Sequence, residues 1–327
     1  MIAHSGSGCA WLAWALAAAL ALPPGLGTLQ AQEWPARQPV KVIVPFTAGS
    51  STDISARVVF EQVGRQVGQS FVVENRTGAG TTIGSSFVAK SEPDGYTLLV
   101  NSTSHVAVQA TIAKIGYHTA DDFAGITPLA NLPLVIIAPV KYKSMADLVA
   151  AGKKGSLNFG SAGAGSAGHL FLERFRLSAG MNATHVPFRG TPEGITEIIA
   201  DRLDFFVAPV LNAVPFARDG KLTAVAMGSA RRASSMPDVP TTTEAGVPNA
   251  GYEFWVGALA PAKTPRPIVE RLNREILAAF KLKEIADKIS NLGGEPMPMA
   301  PAQFDAFLRQ QIALHVEIVK ASGFKPQ

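Results

Sequence analysis

IVPFTAGSSTDISAR, residues 43–57, is the stretch that decides the fold class. A β-branched run at 40–44 is stopped by Pro45, which has no amide to offer a strand ladder. A small-residue loop at 47–52 follows, and an amphipathic run begins near Asp53. Strand, loop and helix therefore succeed one another. The loop holds Gly49 and four hydroxyl residues, Thr47, Ser50, Ser51 and Thr52, so its backbone can approach a ligand closely. The first amides of a helix lack intrahelical partners and carry the positive end of its dipole, which suits an anion. Asp53 is expected to compete by capping those same amides.

Working outward, Ala56, Val59, Phe60, Val63 and Val67 recur at helical spacing and Gly68 ends the run. A strand is expected at 71–74, then a glycine loop at 75–84, a helix to Lys90, and a strand at 96–100 running into the polar loop 101–105. The alternation repeats further on. A strand at 134–140 precedes a helix capped by Ser144, and a strand at 157–159 leads into the loop GSAGAGSAGH, residues 160–169, and a further helix. Strands follow at 184–188, 203–207, 222–227 and 252–259. Helical spacing marks the tail, with Thr264 as the cap of its first helix. This pattern predicts an α/β fold of mostly parallel sheets flanked by helices, in two similar halves with crossings near 135–140 and 253–262.

The 47% apolar content supports real cores, and 327 residues suggest about two domains. Residues 1–31 contain no Asp, Glu, Lys or Arg, and 11–22 is an apolar run too short to span a membrane. Followed by Pro23, Pro24 and a small residue at Ala31, it reads as a cleavable export signal, placing the mature protein in the periplasm. Cys9 is the only cysteine, so disulfide chemistry is not expected of the mature part. The net charge of +4 is scattered, with no basic stripe among aromatics, which excludes a nucleic-acid role and mildly favours anionic ligands.

Two enzymatic readings arise from the second glycine loop. Gly163, Gly165 and Gly168 form G-x-G-x-x-G with Arg189 at a following strand end, the arrangement of an NADP site in an oxidoreductase. Ser166, in a sequence close to a nucleophile elbow, with His169 or His185 as base, would make a serine hydrolase. An anion-cradling loop that performs no chemistry makes weaker demands on the same residues. The six histidines lack ligand spacing, so no metal is expected.

Several motifs, in order, resemble one family. Pro45-Phe46 with Gly49 and Asp53, Val73-Glu74-Asn75-Arg76 with Gly78 and Gly80, Pro93-Asp94-Gly95-Tyr96, residues 163–169, Val186-Pro187-Phe188-Arg189-Gly190, Pro237-Asp238-Val239-Pro240 and Trp255 are similar to the Bug family. Its members are periplasmic solute-binding proteins of tripartite tricarboxylate transporters. The resemblance implies a two-lobed periplasmic-binding-protein fold, type II like, with a ligand cleft between hinged lobes and no cofactor or catalysis. Expected limits are 1–31 for the signal peptide, 32–137 plus 258–327 for lobe 1 and 138–257 for lobe 2.

The expected partners are a small organic acid and the membrane subunits, with the chain acting as a monomer. Carried onto this sequence, the ligand contacts fall on Phe46, Ala48, Gly49 and Ser50 of the first loop and Ser161, Gly163, Gly165 and Ser166 of the second. Ser102, Thr103 and Arg189 are further candidates. Ala208 stands where amino-acid-binding relatives carry an aspartate, which implies a ligand without an ammonium group, such as a dicarboxylate, tricarboxylate or aromatic acid.

Overall fold

β1 (Val40–Val44) forms where the β-branched run is, buried except at Lys41, and its parallel neighbours are β2 (Phe71–Asn75) and β3 (Thr97–Ser102). α1 (Ser51–Val67) follows the loop and lays Ala56, Val59, Phe60 and Val63 on the sheet. Gly68 ends it in the left-handed region at φ 66°, where glycine has no Cβ to clash. The computed structural model describes residues 1–3, 34–291, 293–322 and 326. Most of the expected export signal, 1–31, lies outside the described residues.

The first sheet is completed by β4 (Phe123–Asn131) and β10 (Trp255–Pro261), in the order β2-β1-β3-β10-β4. The second holds β5 (Leu134–Ala138), β6 (Ser156–Ser161), β7 (Asn182–Pro187), β8 (Phe205–Pro209) and β9 (Thr223–Met227), in the order β7-β6-β8-β5-β9. The two orders correspond strand for strand. Each sheet is mostly parallel, as the alternation suggested, with one strand running against the rest: β10 is antiparallel to β3 and β4, and β5 to β8 and β9. Those two strands enter directly from the other sheet instead of through a covering helix, so they run against their neighbours.

The chain leaves the first sheet after Asn131, enters the second at Leu134, and returns between Met227 and Trp255. The limits expected at 137/138 and 257/258 fall inside β5 and β10. Only Leu132 and Pro133 separate β4 from β5, so no polar turn marks the passage. Buried Leu132, Leu134, Phe254 and Val256 carry one apolar core from sheet to sheet.

Helices cover both sheets in a two-lobed α/β architecture. α2 (Thr82–Ala89), α4 (Met145–Lys154), α5 (Ala167–Ala179), α6 (Thr191–Ile199), α8 (Arg266–Phe280), α9 (Lys283–Asn291) and α10 (Pro301–Ser322) lie where helices were expected. α3 (Ser104–Thr111), which starts inside the expected polar loop 101–105, and α7 (Val210–Arg218) were not expected from the sequence. Ser144 caps α4 by accepting from the Asp147 amide at 3.2 Å, whereas the first tail helix begins after Pro265 and leaves the Thr264 hydroxyl buried without a partner. α10 returns to the first sheet and sets Phe304 edge-on to Trp255, with ring centroids 5.6 Å apart.

Candidate functional site

The first loop turns at Gly49, φ 79°, and Ser50 caps α1, its hydroxyl accepting from the Asp53 amide at 3.3 Å. Asp53 does not cap the helix in the expected manner. Its buried carboxylate accepts from the Gly49 amide at 3.0 Å, from Asn75 Nδ2 at 2.9 Å and from Arg57 Nε at 3.1 Å. The Ser50 amide donates to Thr47 O at 3.2 Å. Gly49 and Ser50 have therefore already committed their amides. Those of Ser51 and Thr52, one step further into the helix, have no acceptor among the described residues.

Burial raises the Asp53 carboxyl, but Arg57, the Gly49 amide and Asn75 outweigh it and hold the group below its usual range. The stability this gives is fully present above the unfolded value near 3.8 and is lost as the pH falls through the lower folded value. Denaturant melts of Asp53→Asn should show a loss of about 1–3 kcal/mol near neutrality, since buried donors lose their acceptor. The gap from wild type should narrow in acid. A gap that stays constant into strong acid would contradict an ionised Asp53.

The second loop leaves β6, passes Gly163 at φ 122° and Gly165 at φ 72°, and enters α5 with Ser166 as its cap. Ser161 is buried, donates from Oγ to Gly163 O at 3.0 Å, and lies 2.7 Å from His185 Nε2. The Gly165 amide donates to His169 Nδ1 at 3.0 Å, and the Ser166 amide to Gly163 O at 3.2 Å. The His169 amide donates to Ser166 Oγ at 3.3 Å. The His169 and His185 rings stack with centroids 3.6 Å apart. Burial, with His169 adjacent, pushes the His185 imidazole down to about 3.

This geometry removes the chemistry of both enzymatic readings. Ser166 Oγ donates to Ser161 Oγ at 3.4 Å, His185 Nε2 meets Ser161 instead of Ser166, and the Nδ1 of His169 accepts from the Gly165 amide, so neither of these ring nitrogens is placed to take the Ser166 proton directly. A Cβ on Gly163 would lie 3.3 Å from Gly80 Cα, and one on Gly165 2.7 Å from Thr111 Oγ1. The glycines of G-x-G-x-x-G thus meet protein where a pyrophosphate would need open space.

The two loops face each other across a cavity of about 30 Å³. Phe46, Ser50, Ser51 and Thr52 line it from the first lobe, and Ala162, Ser166 and Gly168 from the second. Four helix N-termini reach it: α1 through Ser51, α3 through Ser104, α5 through Gly168 and α6 through Thr191. No charged or histidine side chain is among its lining residues. A wider depression of about 630 Å³ along α1 and β2 is open surface that contains no residue of either loop.

The lobes are in direct contact around this cavity. Asn212 of α7 donates from Nδ2 to Gly49 O at 3.1 Å and its carbonyl accepts from Ser51 Oγ. Thr111 Oγ1 donates to Gly165 O at 2.9 Å, and the Ala167 amide to Ser104 Oγ at 3.0 Å. The cleft is shut.

Of the other expected contacts, Ala48 lies exposed and outside the lining. Ser102 Oγ accepts from the Ser104 amide at 3.2 Å and Thr103 Oγ1 from the Trp255 amide at 2.8 Å, so both tie the end of β3 rather than face the cavity. Arg189 is exposed and its amide donates to Glu193 Oε2 at 3.1 Å. Ala208 faces the wrong way: strand alternation turns Val207 and Pro209 to the cavity and packs Ala208 with Val135 and Phe206. Leu134 and Phe254, which also line the cavity, come from the two crossings. The helix positions after each cap and the period of β8 were the available signals for Ser51, Thr52, Gly168 and Val207.

Among the described residues there is no cluster of metal-binding side chains and no helix long and apolar enough to cross a membrane. The family model of the tripartite tricarboxylate transporter family receptor, TctC, matches residues 55–324. BugT of Bordetella pertussis is 32% identical over 303 residues, covering 91% of this chain and 93% of BugT. MatC from Rhodopseudomonas palustris with bound malate superimposes with a TM-score of 0.81 at 30% identity, over 87% of this chain and 99% of MatC. A second R. palustris protein, with adipate, gives 0.86 at 30% identity, over 90% and 100%. A family match across most of the length, on a fold with this strand order, is decisive: the chain belongs to the TctC or Bug family of periplasmic solute-binding proteins, receptors that hold a ligand without transforming it.

Proposed function

We propose that this chain captures a small carboxylic acid between its lobes and hands it to the membrane subunits of a tripartite tricarboxylate transporter. The observation that carries this is the convergence of four helix N-termini on a space lined by hydroxyls and apolar groups, with no cationic side chain. Aligned helix dipoles and free first-turn amides stabilise an anion there. The donors are the amides of Ser51, Thr52 and Gly168 with the cap hydroxyl of Ser50, and Phe46 forms a wall. Gly49, Asn212 and Ser51 close the rim, and the lobes hinge at 132–133 and 228–254.

Related proteins with malate and adipate support an acid as the ligand class. No carboxylate lines the cavity, so a ligand ammonium would be buried unpaired, and the ligand lacks one. The test is a thermal-shift screen of organic acids. At 100 times its dissociation constant a ligand adds about 2.7 kcal/mol, or roughly 5–10 °C for lobes of this size. NADPH is expected to give no shift. A screen in which no organic acid moves the melt, or in which aspartate binds more tightly than its deaminated analogue, sinks the proposal in whole or in its ammonium clause respectively.

A further inference from the structure

The helix starts at the cavity differ in what they have left to offer. Those of α3 and α5 are tied to each other and to their own caps. The Ser104 amide donates to Ser102 Oγ, the Ala167 amide to Ser104 Oγ and the His169 amide to Ser166 Oγ, which leaves the Gly168 amide as the contribution of α5. α1 keeps the Ser51 and Thr52 amides without an acceptor among the described residues. On the second lobe, α6 is in the same condition. It has no side-chain cap, the Thr191 amide has no acceptor among the described residues, and Pro192 has no amide to place. Thr191 is only 5% exposed and lines the cavity, yet its hydroxyl makes no hydrogen bond among the described residues.

Closure itself keeps α6 uncapped. A Cβ on Gly190, the cap position, would lie 2.0 Å from Thr47 Oγ1 of the first lobe, so a capping side chain there would collide with Thr47 while the lobes are shut. Thr47 does not take over the task, since its own hydroxyl is buried without a hydrogen-bond partner. The exposed Glu193 turns its carboxylate back to the Arg189 amide at 3.1 Å. Ile195 and Ile198 bury α6 in the second-lobe core, so the donors at its start sit on a fixed element. A buried hydroxyl and amide without acceptors are costly, and an incoming oxygen removes that cost.

We propose that Thr191 and the first amide of α6 are the second lobe's grip on the ligand, donating to an oxygen of the acid that α1 holds from the first lobe. Residue 191 is then a determinant of affinity. The proposal rests on the carboxylate capture proposed above and adds its second-lobe partner. One bound molecule bridges two helix starts on opposite lobes, and both sets of donors are satisfied only with the lobes shut.

No protein group uses the Thr191 hydroxyl, so removing it should matter little to the fold and much to the ligand. The test is titration calorimetry of the mature chain with the acids of the thermal-shift screen, malate, succinate, adipate and butyrate among them, carrying forward the acid that wild type binds most tightly. Thr191→Val keeps the shape, loses the hydroxyl, and is expected to bind that acid roughly tenfold or more weakly, as for loss of one hydrogen bond to a charged group. Its ligand-free melting temperature should match wild type. Thr191→Ser, which restores the hydroxyl, should recover affinity to within about threefold of wild type. Thr191→Val binding as tightly as wild type, or Thr191→Ser binding as weakly as Thr191→Val, overturns the assignment while carboxylate capture stands. A lowered ligand-free melt in Thr191→Val with unchanged affinity overturns it too, as the mark of a purely structural residue. If wild type binds no acid of the screen, both readings fall together.

Discussion

Replacing Gly80 by alanine is expected to weaken ligand capture by roughly a hundredfold, about 3 kcal/mol, while leaving each lobe folded. Gly80 belongs to the loop after β2 and sits across the cleft from Ala164 of the second loop. A Cβ built on it would lie 2.2 Å from the Ala164 carbonyl oxygen, a backbone atom that cannot swing aside. The lobes would have to separate to admit it. A ligand gripped from both sides binds the shut form, so apparent affinity falls with the population of that form. Gly80 is also at φ 63°, so alanine carries a local strain of about 1 kcal/mol whatever its surroundings.

Gly116→Ala separates the two contributions. Gly116 has φ 71°, and nothing lies within 4 Å of its added Cβ, so it suffers the strain without the wedge. Titration calorimetry on both variants, with small-angle scattering for lobe separation, is the check. Gly80→Ala binding as well as Gly116→Ala would mean that the contact between Gly80 and Ala164 is irrelevant to capture.

The second large effect is on stability. Trp255→Ala should cost about 3–5 kcal/mol, because the indole is 1% exposed and packs edge-on to Phe304 and Phe307 with centroids 5.6 and 5.7 Å away. Its backbone compounds the importance of the position, since the Trp255 amide and carbonyl both pair with Thr103 at the end of β3. Trp255→Phe should be much milder. The indole Nε1 is buried without a hydrogen-bond partner, so phenylalanine loses volume but also removes an unpaired donor. Denaturation followed by circular dichroism at constant m-value compares the two. Equal losses would show that the buried volume of the indole does not set the energetics here.

The parts of the fold that were legible in sequence are those whose local chemistry agrees with their tertiary setting. The run 40–44, the αL glycine at 68 and the amphipathic face of α1 all point one way. α3 was hidden because Ser104, His105, Val106, Ala107 and Val108 are all buried, so it has no polar face to create a helical period. Pro215 inside α7 and Gly125 and Pro128 inside β4 likewise suppress the usual signatures. The site was legible as two facing turns. Which of their amides remain available was not, because that depends on where Asp53 and His169 direct their side chains. Residue 208 was misplaced for a simpler reason: one step along a strand reverses the face.

The exchange of β5 and β10 between the sheets also orders how the chain can complete itself as it emerges. All five strands of the second sheet lie between Leu134 and Met227, so that sheet is whole once this continuous span is free. The first sheet must wait for Trp255–Pro261 to slot between β3 and β4. During vectorial delivery across a membrane the later-arriving half is therefore finished first, and the amino-terminal half stays open-edged until the last quarter of the polypeptide has passed.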